Sequence, residues 1–242
     1  MLKQLVLQDI LFIDIETVSQ QANFDELSEQ MQYLWEDKTK YQRGEEYTAE
    51  EFYPQRAGIM AEFGKIVCIS VGYIYTDAGV PEFRLKSFYD HDEQRLLAEF
   101  SEILRKHYSG QRHLLCGHNA KEFDLPYIAR RMLLNGIDLP PILNIAGKKP
   151  WEIKHLDTME LWKFGDYKHY TSLKLLTAIF NIPTPKDDID GSMVGEVYWK
   201  EGDLKRIAVY CEKDVLAVAQ LLLKYRGEAL IAPEYVSFSI DL

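Results

Sequence analysis

The chain lacks the features that would place it in a membrane or staple it covalently. No apolar run is long enough to cross a bilayer, and Lys3 and Asp9 interrupt the first residues before a secretory core could form. These absences lead us to expect a soluble, cytoplasmic protein. Cysteine is scarce: Cys68, Cys116 and Cys211 are odd in number, widely spaced and set among apolar neighbours. That pattern argues against a disulfide framework or a zinc site and suits small buried side chains. Cations are outnumbered, 28 Lys and Arg against 38 Asp and Glu, for a net charge of -10. A uniformly basic nucleic-acid coat is therefore excluded.

What the chain has is a large apolar share, 47% of 242 residues, enough for the core of one α/β domain over residues 1–242. Its charge is unevenly spread. Between residues 19 and 53, nine acids face only Lys38, Lys40 and Arg43, whereas residues 148–174 hold six lysines against four acids. In that second stretch Trp151, Trp162, Phe164, Tyr167 and Tyr170 are interleaved with the lysines. Such a surface can follow a single strand, with phosphates on lysines and bases on rings, or be an ordinary amphipathic face.

The chemistry is concentrated in three stretches. In Ile10-Leu11-Phe12-Ile13-Asp14-Ile15-Glu16-Thr17, two carboxylates sit two residues apart within a β-branched, apolar run. Alternation on a strand puts Asp14 and Glu16 on one face and Ile13 and Ile15 on the other. Two charges on one face of a buried strand are costly unless a cation is shared, so oxygen ligands for Mg²⁺ or Mn²⁺ are the first hypothesis. Solvated acids at a strand end are the alternative. The second stretch, His113 to Asn119 followed by Phe123-Asp124-Leu125-Pro126, reads as a short strand, a turn and a helix. There Asp124 is either a helix cap or a carboxylate aimed into the crevice at the sheet edge. His118 alone reads as a loop residue and Phe123 alone as core.

The third stretch is a helix from Asp203 onward. Leu204, Ile207, Ala208, Cys211, Val215, Val218, Ala219 and Leu222 form its apolar stripe, and Tyr210 and Asp214 stack one turn apart at the border.

Between these stretches, Phe24, Leu27, Met31, Leu34 and Trp35 at helical spacing predict a helical, acidic insertion over about 19–63. A hairpin is expected from Gly64–Tyr75 and Glu82–Tyr89, a helix over Asp92–Tyr108, and a short strand over Ile153–Asp157. Asp157 is read as capping the helix after it, and His155 as either facing the groove or anchoring the strand end. A helix from Thr171–Ser172 through Phe180 is stopped by Ile182-Pro183-Thr184-Pro185, and Asp187–Glu201 reads as mixed loop and short helix.

Taken in order, Asp14-x-Glu16, then Asn119-x-x-x-Phe123-Asp124, then Tyr210-x-x-x-Asp214 resemble the DEDD exonucleases of the ribonuclease H-like superfamily, in the subclass with tyrosine in the third motif. Gly117-His118-Asn119 and Tyr210-Cys211-Glu212-Lys213-Asp214 look closest to the proofreading exonuclease domain of family B DNA polymerases and its free-standing bacterial relatives. The resemblance implies a mixed five-stranded sheet flanked by helices and a 3′-to-5′ exonuclease. It implies two divalent ions, Mg²⁺ or Mn²⁺, held by Asp14, Glu16, Asp124 and Asp214. Tyr210 would orient the attacking water, a role taken in the sister subclass by a histidine where this chain has Val209. Thr17, His118, Asn119, Phe123 and His155 would bind substrate. The implied partner is single-stranded DNA or the 3′ end of a nucleic acid, RNA included, and the product a 5′-mononucleotide. Only residues 215–242 follow Asp214, too few for a polymerase, so the expected enzyme acts alone or with a protein partner. A non-catalytic binding module is the alternative, and the intact carboxylates count against it.

Overall fold

A computed structural model describes residues 2–77, 79–166, 170–183 and 189–240. Tyr167, Lys168, Thr184, Pro185 and Asp187, on which parts of the sequence reading fall, lie outside the described residues. The chain builds a six-stranded mixed sheet around its first strand, β1 (Ile10–Ser19). On one side β1 pairs antiparallel with β2 (Gly64–Asp77), which forms a hairpin with β3 (Val80–Tyr89). On the other it pairs in parallel with β4 (Leu114–Gly117), but only along Ile10, Leu11 and Phe12. Beyond Phe12 that flank of β1 is open to other partners.

Two-residue strands close the sheet's edges. β5 (Leu156–Asp157) lies parallel to β4, and β6 (Val236–Ser237) lies parallel to β3. The α/β class matches the expectation, with six strands where five were expected. A two-residue strand is too short to show a period, so β6 had no signature in the sequence.

The alternation along β1 sorts its side chains onto two cores. Leu11, Ile13 and Ile15 pack against α3 (Glu93–His107) and α4 (Asp124–Leu134), through Leu96, Phe100, Leu125 and Ile128. Ile10 and Phe12 pack against α8 (Leu204–Arg226), through Val215, Val218, Ala219 and Leu222. Each fully buried aliphatic of this kind contributes about 1.5–3 kcal/mol, so the stripe on α8 fixes the helix against the sheet. The acids of β1 share the face of Phe12 and look toward α8. α8 starts at an Asp203 cap on the Arg206 amide and ends at Gly227, whose φ of 70° provides the left-handed turn.

Residues 20–63 hold α1 (Glu29–Arg43) and α2 (Ala49–Arg56), as the apolar spacing predicts. They pack around a fully buried Trp35, whose Nε1 donates to the Ala49 carbonyl at 2.9 Å. Leu34, grouped with this core on spacing, is exposed instead. Two shorter helices, α5 (Thr158–Lys163) and α6 (Leu173–Ile179), follow β5, and α7 (Val194–Glu196) runs into a π-turn over Val197–Glu201 before α8. Among the described residues, no helix is long and apolar enough to cross a membrane.

Candidate active site

Three elements converge where β4 stops pairing with β1. Asp14 is half-buried and Glu16 buried, both on the α8 side of β1. Asp124 is the first residue of α4 and buried. It does not cap its helix: the N-cap is Phe123, without a side-chain cap bond. Its carboxylate instead accepts from its own amide and from the backbone N–H of Ile15, on the flank that β4 leaves uncovered. α8 brings Asp214 and Tyr210 from the opposite layer, the Tyr210 phenol hydrogen-bonded to the Asp214 carboxylate.

The electrostatics show how closely the acids crowd. Asp14 is pushed well above the usual carboxylate range, first by burial and then by the charges of Asp124 and Asp214. Glu16 is pushed up by burial and then by Asp14 and Asp214. Burial raises Asp124 to about 7. The Tyr210 phenol is raised by burial, then by Asp214, Glu16 and Asp14, so its hydroxyl lies in the field of the cluster. Beneath the cluster, the buried Cys211 thiol lies 3.4 Å from Asp14 Oδ2 and 3.5 Å from the Asp14 carbonyl. One ligand atom each of Asp14, Glu16 and Cys211 falls within 4.8 Å of the others.

No lysine, arginine or histidine ion-pairs with Asp14, Glu16 or Asp124 among the described residues. Buried carboxylates that destabilise one another and have no internal counter-ion fit a bound divalent cation, and their hard oxygen donors suit Mg²⁺ or Mn²⁺. Of the sequence-predicted ligands, Asp14 and Glu16 are adjacent, and Asp124 and Asp214 lie within electrostatic reach of them but outside that 4.8 Å group.

The other residues singled out in the sequence fare differently. Thr17 is half-buried beside Glu16, its hydroxyl engaged with the buried Tyr127 of α4, whose own hydroxyl donates to the Gly58 carbonyl at 2.7 Å. Phe123 packs partly into the core, its ring 5.3 Å from that of Tyr127. Asn119 is held in the left-handed region at φ 63°, and its buried Oδ1 has no hydrogen-bond partner among the described residues.

His118 and His155 are committed to the scaffold. His155 Nδ1 accepts from the Leu115 amide at 3.1 Å and Nε2 donates to the Ile142 carbonyl at 2.9 Å. Of its two readings the structure supports the anchor, because no ring nitrogen is left for a substrate. Burial lowers the pKa of His118, keeping the ring neutral. Nε2 donates to the Thr171 carbonyl at 2.9 Å, and Nδ1 takes the Thr158 hydroxyl at 2.9 Å.

Asp157 does more than the capping expected of it. Its carboxylate accepts from Met159 and Glu160 in α5, as a cap does, and also from the amides of Asn119 and Lys121, both at 3.0 Å. A cap is legible locally, but bonds reaching back 38 and 36 residues leave no trace in spacing. They hold the turn that carries Asn119. At Gly117 the turn passes so close to the sheet that a Cβ would sit 2.5 Å from Ala120 Cβ and 2.9 Å from the Ile13 carbonyl.

Residues 59–230 match the family model described as a predicted 3′-5′ exonuclease related to the exonuclease domain of PolB. The chain belongs to this family. The match contains Asn119, Asp124, Tyr210 and Asp214 and begins after β1, so Asp14 and Glu16 lie outside the matched residues. Among solved structures, the chain is similar to the family B DNA polymerase from the hyperthermophilic archaeon Pyrobaculum calidifontis, with a TM-score of 0.51 at 17% identity. The similarity covers 89% of this chain and 24% of that polymerase, so the chain spans about a quarter of the length of the polymerase it matches. At that identity the likeness speaks for the fold, a ribonuclease H-like sheet flanked by helices. No curated protein sequence matches the chain.

Proposed function

We propose that this chain, acting as one domain with residues 19–63 inserted, is a metal-dependent 3′-to-5′ exonuclease on single-stranded nucleic acid, preferring DNA and releasing 5′-mononucleotides. The observation that carries the reading is the convergence of Asp14, Glu16, Asp124 and Asp214, with the Tyr210 phenol, from β1, α4 and α8. Asp14, Glu16, Asp124 and Asp214 would hold two divalent cations, Mg²⁺ or Mn²⁺. When bound, the cations neutralise the phosphodiester and stabilise the charge that develops on its oxygens.

The residues of the chain have separable tasks. The raised pKa of the Tyr210 phenol keeps it protonated at neutral pH, so it cannot serve as the base. It orients the attacking water from its anchorage on Asp214. Asn119 offers a buried carbonyl oxygen to a donor on the terminal nucleotide, and the exposed edge of Phe123 supports its base. Water attack at phosphorus and departure of the 3′ oxygen of the penultimate nucleotide leave the phosphate on the released mononucleotide.

The test is degradation of matched 5′-labelled DNA and RNA strands with Mg²⁺, with Mn²⁺ and with EDTA. A metal-dependent ladder shortening from the 3′ end, faster on DNA, is expected. An equal or faster RNA ladder replaces the DNA preference with an exoribonuclease, and a strand bound but never shortened overturns the catalytic reading.

A further inference from the structure

Tyr170, one of the aromatic residues interleaved with lysines over 148–174, stands between the second and third motifs. It precedes Thr171, whose carbonyl is tied by the His118 Nε2–H at 2.9 Å, and His118 adjoins Asn119 in the turn beside the acid cluster. That bond brings the segment before α6 against the turn between β4 and α4. The anchor is itself braced, since His118 Nδ1 takes the hydroxyl of Thr158, the first residue of α5.

The ring so placed is open to solvent, as are Tyr41, Trp151 and Phe164, but of these only Tyr170 adjoins the residue tied to His118. Tyr170 is 70% exposed, although aromatic side chains ordinarily bury their large apolar faces. Its phenol is raised by partial desolvation and then by the charges of Asp124 and Asp157, so the residue stands within electrostatic reach of one acid of the cluster. Charge readout is the wrong task for it, because a neutral phenol beside carboxylates adds no cation for phosphate. A flat aromatic face at the rim of a phosphodiester site offers stacking to a nucleobase, which tolerates any sequence.

We propose that Tyr170 is a base-stacking residue at the 3′ end of a single-stranded substrate, and that His118 is the positioning residue that holds it there. The inference rests on the exonuclease reading above and adds to it a residue that grips the strand rather than the scissile phosphate. The tie explains why a histidine next to Asn119 spends both nitrogens inside the protein: substitution of His118 releases Thr171 and with it the ring.

The experiment uses the full chain, a 5′-fluorescein oligothymidylate and a strand with 2-aminopurine at its 3′ end. Binding is read in Ca²⁺ or EDTA without turnover. Hydrolysis of bis(p-nitrophenyl) phosphate, which has no base, reports the metal centre separately. Stacking on the Tyr170 ring should quench the 2-aminopurine. Tyr170→Ala is expected to abolish that quench, weaken strand binding on the order of tenfold and leave hydrolysis of the base-free ester within about twofold of the unsubstituted chain. Tyr170→Phe should retain quench and binding, and His118→Ala should lose part of both.

Unchanged quench and affinity in Tyr170→Ala overturn the inference and leave the exonuclease reading intact. Equal losses on the strand and the base-free ester also overturn it, because the residue then supports the site as a whole. A strand bound with a Tyr170-dependent quench but never cleaved supports the stacking residue while the exonuclease reading fails. A chain that binds no strand overturns both.

Discussion

The carboxylate of Asp124 accepts a hydrogen bond from the backbone N–H of Ile15, the residue that separates the two acids of β1. The bond forms because β4 stops pairing with β1 at Phe12, which leaves the Ile15 amide for the first turn of α4. It locks the helix that carries one acid to the strand that carries two. Asp124→Asn keeps an acceptor for Ile15 but removes a charge from the cation site. Turnover should fall on the order of 10³-fold, from the loss of several kcal/mol of transition-state stabilisation, while thermal stability is kept or raised. Steady-state kinetics beside a melting curve checks both halves of that statement.

The same crowding makes the metal-free protein sensitive to pH in a defined direction. Asp14, Glu16 and Asp124 all have folded pKa values above the ordinary carboxylate range, Asp124 at about 7. The folded state therefore binds more protons than the unfolded state between about pH 4 and 7, and stability falls as pH rises through that window. The melting temperature in EDTA should drop between pH 5 and pH 8, and Asp14→Asn should flatten the drop by removing a charge that burial and the neighbouring acids destabilise. Millimolar Mn²⁺ should restore the loss at pH 8. A metal-free melting temperature that rises over this range would show that the acids do not repel as described.

Tyr210 separates water orientation from metal binding. The Tyr210→Phe ring keeps its place at the border of the α8 stripe and loses only the hydroxyl bonded to Asp214. We expect kcat to fall on the order of 10²-fold, as for loss of one preorganised hydrogen bond, with KM and Mn²⁺ affinity nearly unchanged. A matching loss of Mn²⁺ affinity would place the phenol in the metal shell instead.

Asp157 tests the scaffold. Its carboxylate satisfies four backbone N–H groups, those of Asn119, Lys121, Met159 and Glu160. Asp157→Ala leaves the buried Met159 N–H and three part-buried ones without this acceptor and should cost on the order of 3 kcal/mol, lowering the melting temperature by about 5–10 °C. Asp157→Asn keeps the oxygen that serves Asn119 and the helix but turns an N–H toward the Lys121 amide, so its melting temperature should fall between the two. Equal melting temperatures for all three chains would refute the bracing role.

Much of this arrangement is legible in the sequence. The two-residue spacing of Asp14 and Glu16 within a β-branched run places them on one face of β1, and the helical period around Tyr210 puts it and Asp214 at the border of the buried stripe. Local pattern also suffices for the hairpin of β2 and β3 and for α3. What stayed hidden depends on contacts between distant segments. The position of Asp124 fits a cap as well as a carboxylate aimed into the crevice, and only the early end of β4 decides between them. Substrate contact by His118 and His155 is implied by the family resemblance, while their nitrogens are spent on Leu115, Ile142, Thr158 and Thr171. β6 is too short to carry a period.

The most direct test of the acid cluster is a count of bound metal by Mn²⁺ titration, followed by electron paramagnetic resonance or calorimetry. The account predicts two Mn²⁺ per chain near neutral pH, with at least one lost in Asp14→Asn and with the same substitution abolishing shortening of a single strand. Retention of both ions by Asp14→Asn, or no specific Mn²⁺ binding by the unsubstituted chain, would contradict it.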